Sequence, residues 1–246
     1  MLLTFDDGYL DHYKYVYPIL KENKISGNFY VPSKILLKNY ILDVNKIHLI
    51  LAKVHNKKML LDEIFNICKK KYNFSLTVVD IKKLNTESRF DNKNTIIIKR
   101  LLQYYLPKKI RIKINDYLFK KFVDVNYNEV HKNMYLNLNH INEMSKNGMF
   151  FGSHGHDHEW MEFLDKKSQK IEIENSLKFL KKIEKKTDKF SICYPYGSYN
   201  SQTLKIVKKQ KFSFGFTSKY GGVNLVNNSN NFTIPRYDAN DFKILR

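Results

Sequence analysis

The stretch MLLTFDDGYLDHY, residues 1–13, decides how the rest of the chain is read. A short apolar run, MLLTF, is stopped by Asp6, Asp7 and Gly8. A few apolar residues broken by a glycine read as a strand running into a turn. Asp and Gly both favour turns, so the acidic pair taken alone fits an ordinary one. Two carboxylates at a strand end can also do chemistry: one can bind a cation and the other can take a proton from water. Adjacent residues on a strand point to opposite faces, so both acids reach one site only if the chain turns there.

Strand-like and helix-like segments alternate on either side of a long middle block. Leu10 to Asn23 carries Tyr13, Val16, Ile19 and Leu20 at helical spacing, with Pro18 expected to kink or end that helix. Gly27 then leads into NFYV, closed by Pro32. Further on, a helix is expected over Leu138 to Lys146, ended by Asn147-Gly148, and MFFGS reads as a strand. Asp165 is placed to cap a helix with the stripe Ile173, Leu177, Leu180 and Ile183. FSICYPYG reads as strand and turn, Asn200 to Lys209 as a helix, FSFGFTS as a strand, NNSNN as a loop and FTIPR as a last strand. Strand–helix repeats with short turns predict parallel β/α units, hence an α/β fold.

Residues 38–133 differ in character. No glycine occurs between Gly27 and Gly148, which excludes the frequent tight turns of an all-β region. LLDEIFNICKKKY and IIIKRLLQYYL have amphipathic helical spacing, with Asn92 to Asn94 as a loop within the block. The block holds 21 of the 43 Lys and Arg residues but 9 of the 24 acids, so +12 of the +19 formal charge falls here. It is expected to be a helical insertion, a cap or lid, within a single catalytic domain spanning 1–246. The basic balance suggests an anionic glycan, a lipid-linked glycan or a membrane surface as partner. No nucleic-acid-binding module is recognisable, so nucleic acid is not expected.

With 43% hydrophobic residues in 246, the chain can bury a sizeable core. Its two cysteines, Cys68 and Cys193, form no CxxC pair, so neither a disulfide framework nor a thiolate zinc site is expected. No apolar stretch is long enough for a membrane span, and the N-terminal residues show no basic region followed by a long apolar run, so no signal peptide is expected. A cytoplasmic protein is therefore expected, at most peripheral at the inner membrane surface.

The strand end matching Asp6-Asp7 is GSHGHDHEW, with His154, His156 and His158 at alternate positions. His154 and His158 are four apart and can face one point in a turn. Neutral imidazoles are common ligands for zinc and related ions. In a parallel β/α fold the C-terminal strand ends gather on one face, so an acid from the first strand can complete the set. Two His and one Asp leave positions open for water and substrate, as a catalytic metal requires.

TFDDGY, then SHGHDH, then YPYGSYN, in that order, resemble the motifs of the polysaccharide deacetylase family (NodB-type) over roughly residues 1–37 and 134–217. The resemblance implies a distorted (β/α) barrel with a helical insertion and metal-dependent removal of an acetyl group from an N-acetylated amino sugar, in surface-polysaccharide or glycan-precursor metabolism. By position, Asp6 resembles the catalytic base, and Asp7, His154 and His158 the metal ligands. The ion is expected to be zinc, with cobalt, nickel, manganese or iron as alternatives. Tyr196 resembles the residue whose backbone N–H holds the oxyanion, in a turn shaped by Pro195 and Gly197. Trp160, Tyr9 and Tyr199 are expected to wall a sugar site.

Many members carry an arginine where Cys193 stands, and Arg236 in IPRYDAND is a candidate substitute near the substrate. Many also carry a late histidine as general acid. None follows His158 here, leaving Asp238, Asp241, His131 or His140 as candidates, with His12 a further histidine near the first strand. The alternatives are another metal-dependent amidase on the same scaffold, or a metal- or glycan-binding module without activity.

Overall fold

The computed structural model describes residues 1–37, 39–85, 91–183, 189–223 and 231–242. Residues 227–230 of the NNSNN run lie outside the described residues. Two compact units are present: residues 1–40 with 128–246, and residues 41–127.

Among the described residues the first unit holds six strands: β1 (Leu3–Asp6), β2 (Gly27–Val31), β3 (Phe150–Ser153), β4 (Ser191–Cys193), β5 (Phe214–Tyr220) and β6 (Ile234–Arg236). All pair in parallel and in sequence order. Parallel neighbours need crossovers, and helices supply them. The result is the expected distorted, open (β/α) barrel, with β1 and β6 as its outer strands. After β1, a π-type turn over His12–Val16 runs into α1 (Tyr17–Glu22). Pro18 neither ends nor breaks this helix. Helical backbone runs unbroken from Leu10 to Glu22 with Pro18 inside it, and the ladder widens to the π-type turn just before the proline, where its missing N–H is accommodated.

The second unit is helical and carries its own core. It contains α2 (Asp43–Lys53), α3 (Lys57–Tyr72), α4 (Val78–Leu84), α5 (Lys93–Arg100), a π-type turn over Leu101–Tyr105, and α6 (Lys108–Phe122). Ile47, Leu60, Ile64, Ile98, Leu101, Ile114 and Leu118 are essentially inaccessible. The expected loop at Asn92–Asn94 is not one. Asn92 accepts from the Thr95 N–H and caps α5, and Asn94 lies inside the helix. Asparagine suits both a loop and an N-cap, and the isoleucines that follow make the helix here.

In the first unit, α7 (Tyr127–Met134, its first residue falling in the helical unit) and α8 (Leu138–Lys146) precede β3, α9 (Lys166–Ile183) follows it, and α10 (Ser201–Lys209) lies between β4 and β5. Asp165 accepts from the Ser168 N–H as expected of a cap, and Asn200 with Thr203 forms a capping box on α10. Among the described residues no helix is long and apolar enough to cross a membrane.

Strand alternation sorts the first three strands into two faces. Phe5, Phe29 and Phe151 are in register, with ring centroids 4.9 and 5.7 Å apart. The next register line is Asp6, Tyr30 and Gly152. Tyr30 is fully buried among Cys193 and Phe216, and its hydroxyl meets Ser191 Oγ at 3.0 Å. It reaches β4 by lying across Gly152, where an added Cβ would stand 2.3 Å from the ring. A side chain at 152 must therefore displace Tyr30. Gly152→Ala is expected to cost about 1–3 kcal/mol by overpacking, read as a lower midpoint in urea unfolding, and an unchanged midpoint would contradict this packing.

Candidate metal centre and active site

Asp6 is the last residue of β1, and Asp7 and Gly8 follow with φ of 74° and 67°. That left-handed turn breaks strand alternation, so both carboxylates reach the surroundings of His154. It is a conformation that costs a non-glycine residue free energy. His158 and Tyr196 share it, at φ 56° and 58°.

The two acids have separate partners. Asp6 makes a bidentate pair with Arg236, Oδ2 to Nη2 at 2.7 Å and Oδ1 to Nη1 at 3.0 Å. Arg236 also donates to Thr4 Oγ1 (3.0 Å) and to the Thr217 carbonyl (3.1 Å). Burial raises the Asp6 carboxyl, but the charge of His154 and the hydrogen bonds of Arg236 outweigh it and hold Asp6 below its ordinary value. The Cys193 thiol, pushed up by burial and by the Asp6 carboxylate, stays protonated and donates to Asp6 Oδ2 at 3.4 Å.

Asp7 faces the histidines. Its Oδ1 lies 3.1 Å from His158 Nε2 and 3.4 Å from His154 Nε2. The oxygen is buried, yet neither approach is aligned as a hydrogen bond. His154 Nδ1 is 2.7 Å from the Cys193 carbonyl. A carbonyl only accepts, so Nδ1 carries a proton, and in the neutral form of the ring, the one a cation would bind, the lone pair of Nε2 turns toward Asp7. Two lone-pair atoms and a carboxylate oxygen converging in a buried site form a donor set for a cation, and an N2O set of this kind suits zinc and its neighbours. Burial raises the Asp7 carboxyl, but His154 and His158 overcome it and hold it well below the usual range. Burial lowers the His154 imidazole, while Cys193, Asp6 and Asp7 push it well above its ordinary value.

Asp6, His154 and Cys193 also stand close enough to share an ion. Both oxygens of Asp6 are already engaged by a guanidinium, which repels a second cation, and the Cys193 thiol is held protonated. The set Asp7, His154 and His158 is therefore the candidate metal centre.

The loop between the two histidines is held from three sides. Ser33 and Lys34 donate their N–H groups to the carbonyls of Gly155 and His156, at 3.2 and 2.9 Å. His156 does not join the donor set: its Nδ1 meets Ser33 Oγ at 2.8 Å. Asp157 is bound by Lys34 (2.5 Å) and Tyr40 (2.6 Å). From α9, buried Glu172 accepts the N–H groups of His156 and Asp157 on one oxygen, at 2.9 and 2.8 Å. Glu172 escapes a motif-based reading. Its signal is a charged residue on the buried stripe of α9, beside Ile173 and one turn before Ser176.

The Pro195–Gly197 turn lies against this centre. The Tyr196 ring is 4.6 Å from that of His158, and Trp160 stacks on Tyr196 at 4.5 Å and 14°. Gly197 is required by closeness, since a Cβ there would stand 2.0 Å from Ser218 Oγ. The expected aromatic wall is arranged differently. Tyr199 packs on Tyr194 and Tyr9 on Tyr135, and the partner of Trp160 is Tyr196.

The histidines weighed as proton donors lie elsewhere. His131 Nε2 donates to the Ile35 carbonyl at 2.7 Å, and His140 stacks on Tyr13 at 4.2 Å within the Asn137 capping box. Asp238 and Asp241 cap their own turn. His12 sits against Phe5 and Phe29 on the opposite sheet face from Asp6, and burial lowers it.

The family model for polysaccharide deacetylase matches residues 1–64 and 108–215. A poly-beta-1,6-N-acetyl-D-glucosamine N-deacetylase of Staphylococcus aureus (strain MSSA476) is 29% identical over 199 residues, covering 77% of this chain and 63% of that protein. The chain thus spans less than two thirds of that relative. Among solved structures, the Streptococcus pyogenes deacetylase PplD in complex with acetate superposes with a TM-score of 0.54 at 18% identity, over 96% of this chain and 62% of that one. The BpsB deacetylase domain of Bordetella bronchiseptica gives 0.52 at 14% identity, over 96% and 69%. At these identities the likeness is one of fold.

If Glu172 sets the loop that carries the histidines, its loss must loosen the metal. Glu172→Ala is expected to weaken metal retention about 10–100-fold in chelator competition, while Glu172→Gln, whose amide oxygen still accepts, keeps most of it. Equal retention in the alanine variant would contradict this role.

Proposed function

The chain belongs to the polysaccharide deacetylase family, and we propose that it hydrolyses N-acetyl groups from the amino sugars of a polysaccharide, an N-acetylglucosamine polymer foremost. The observation that carries this reading is the division of labour between adjacent acids: Asp6 is held ionised by Arg236, while Asp7 faces two imidazole Nε2 atoms. In the proposed enzyme Asp7, His154 and His158 hold a divalent cation, with zinc the first choice. That cation, when bound, supplies Lewis acidity toward the acetyl carbonyl and acidifies the attacking water.

The remaining work falls to the chain's own groups. Asp6 accepts a proton from the water at its carboxylate. Arg236, through its two hydrogen bonds, fixes the carboxylate in place and keeps it ionised until that moment. The Tyr196 N–H, presented by the left-handed turn, donates to the oxygen that gains charge as the tetrahedral state forms, a contribution whose removal elsewhere costs about 10²–10³ in rate. The leaving amine then needs a proton. With His131, His140, Asp238 and Asp241 engaged in their own contacts, the newly protonated Asp6 is the group at hand to return it. Trp160 and Tyr199 are proposed to offer apolar faces to the sugar, and the Pro195–Gly197 turn to bound its position.

Acetate release from an N-acetylglucosamine oligomer should require added zinc or cobalt and should fall at least 100-fold in Asp6→Asn, the low end of general-base effects. Undiminished release in that variant would contradict the role given to Asp6. Arg236 keeps the Asp6 carboxyl below its ordinary value, so the base is available down to low pH. Arg236→Met removes that hold, the carboxyl rises, and the acid limb of the kcat/KM profile is expected to move to higher pH. An unmoved limb would separate Arg236 from Asp6 in function.

A further inference from the structure

Six parallel strands give the first unit two unlike ends. Asp6, His154, the Pro195–Gly197 turn and Arg236 stand at or just past C-terminal strand ends. The opposite end is where strands begin and the crossover helices finish, and it presents large apolar side chains to solvent. Ile25, just before β2, Phe150, the first residue of β3, and Phe214, the first residue of β5, are 45%, 54% and 45% exposed. Alternate residues of a strand point the same way, so Phe150 shares a sheet face with Gly152, and Phe214 with Phe216. Tyr30, in register with Gly152, packs on Phe216 with ring centroids 5.7 Å apart. The two exposed phenylalanines therefore lie on the face that carries Asp6 and Tyr30, displaced toward the strand starts.

Cations stand beside each of these side chains. Helices α1, α8, α9 and α10 finish at this end, with Lys21, Lys146, Lys182 and Lys209 exposed in their last turns. Lys24 and Lys211, also exposed, occupy the turns that lead into β2 and β5. Among the described residues the same last turns and the turns after them hold two acids, Glu22 and Glu143, and Glu143 accepts from the Tyr13 hydroxyl at 2.6 Å. A lysine at a helix C-terminus complements the helix dipole, so the cations alone would be ordinary. That account leaves unexplained the phenylalanines and isoleucine exposed among them, and such patches mark interaction surfaces.

The combination selects its partner. At a bilayer with anionic headgroups, rings and aliphatic chains enter the boundary between headgroup and acyl chain while lysines meet phosphates. A soluble polyanion would engage the lysines and leave the apolar side chains unused. A second copy would set the same patch against itself, lysine opposite lysine. We propose that the strand-start end of this unit docks on an anionic lipid surface, which turns the candidate active site away from the bilayer. The inference stands apart from the reaction proposed above, and its test needs no catalysis.

That test is sedimentation of the full chain with phosphatidylcholine vesicles, either plain or holding about one third phosphatidylglycerol. The parent is expected to sediment with the anionic vesicles and not with the plain ones. No binding to the anionic vesicles, or equal binding to both, would overturn the proposal. Phe150→Ser with Phe214→Ser, and Lys24→Glu with Lys211→Glu, are each expected to weaken the partition at least about tenfold, the scale of two lost apolar insertions or two lost headgroup contacts. Ile25→Asp, in a turn outside the sheet, repeats the apolar arm should the phenylalanine pair fail to fold. The helical unit is also basic, with 19 Lys and Arg against 8 Asp and Glu in residues 41–127. Lys69→Glu with Lys70→Glu on α3 is therefore the counter-variant, expected to change the partition less than about twofold. A partition that follows Lys69 and Lys70 would overturn the proposal. Loss in the Lys24 and Lys211 pair with full retention in the apolar variants would also overturn it, since that is the signature of a soluble-polyanion site.

Discussion

One guanidinium joins the first and last strands of the sheet. Arg236 on β6 reaches Thr4 and Asp6 on β1, and its Nε binds the β5 backbone at Thr217. β1 and β6 are the outer strands of the hydrogen-bonded order, so this contact spans the seam of the open barrel. Half-buried and bidentate, it is a pair whose members cannot be removed singly without leaving a charge poorly solvated. It also decides the chemistry. Two adjacent carboxylates beside one cation would compete for it. With both oxygens of Asp6 bound to Arg236, only Asp7 is left to meet the imidazoles.

Strained backbone gathers where those groups meet. Asp7, His158 and Tyr196 all take left-handed φ values. Such conformations persist where surrounding structure over-determines them. Here the supports can be named. Gly8 packs on Ile35 and Val31, Glu172 holds the histidine loop by two N–H groups, and Gly197 lies against Ser218. The strain aims three groups from three strand ends at one place, which straight strand alternation would forbid.

Much of this was legible in the residues. Parallel β/α units follow from alternating apolar runs and helical stripes, and one acid of the Asp6-Asp7 pair with His154 and His158 follows from their places past strand ends, the choice of Asp7 being what the family resemblance implies. Other features were not legible, for physical reasons. Pro18 was expected to kink or end its helix; the helix runs on to Glu22, and the disturbance is a π-type turn in the ladder just before the proline. Asn92–Asn94 has a loop composition, yet a cap uses the same side-chain chemistry. Glu172 lies outside every motif because its role is to bind backbone N–H groups, which any residue supplies. The partner of Trp160 depends on the left-handed turn at Tyr196, a backbone state that tyrosine does not announce. Arg236 could be named as a candidate, but only the closeness of β6 to β1 gives it Asp6 as its partner.

The central claim is that the cation belongs to Asp7, His154 and His158, with Asp6 and Cys193 outside its coordination. X-ray absorption at the metal edge of the zinc- or cobalt-loaded protein reads this directly. The account predicts a shell of nitrogen and oxygen only, near 2.0–2.2 Å, with the multiple scattering of two imidazoles. A sulfur scatterer at about 2.3 Å would put Cys193 in the shell, transfer the ion to the Asp6, His154 and Cys193 group, and contradict the roles assigned to both aspartates.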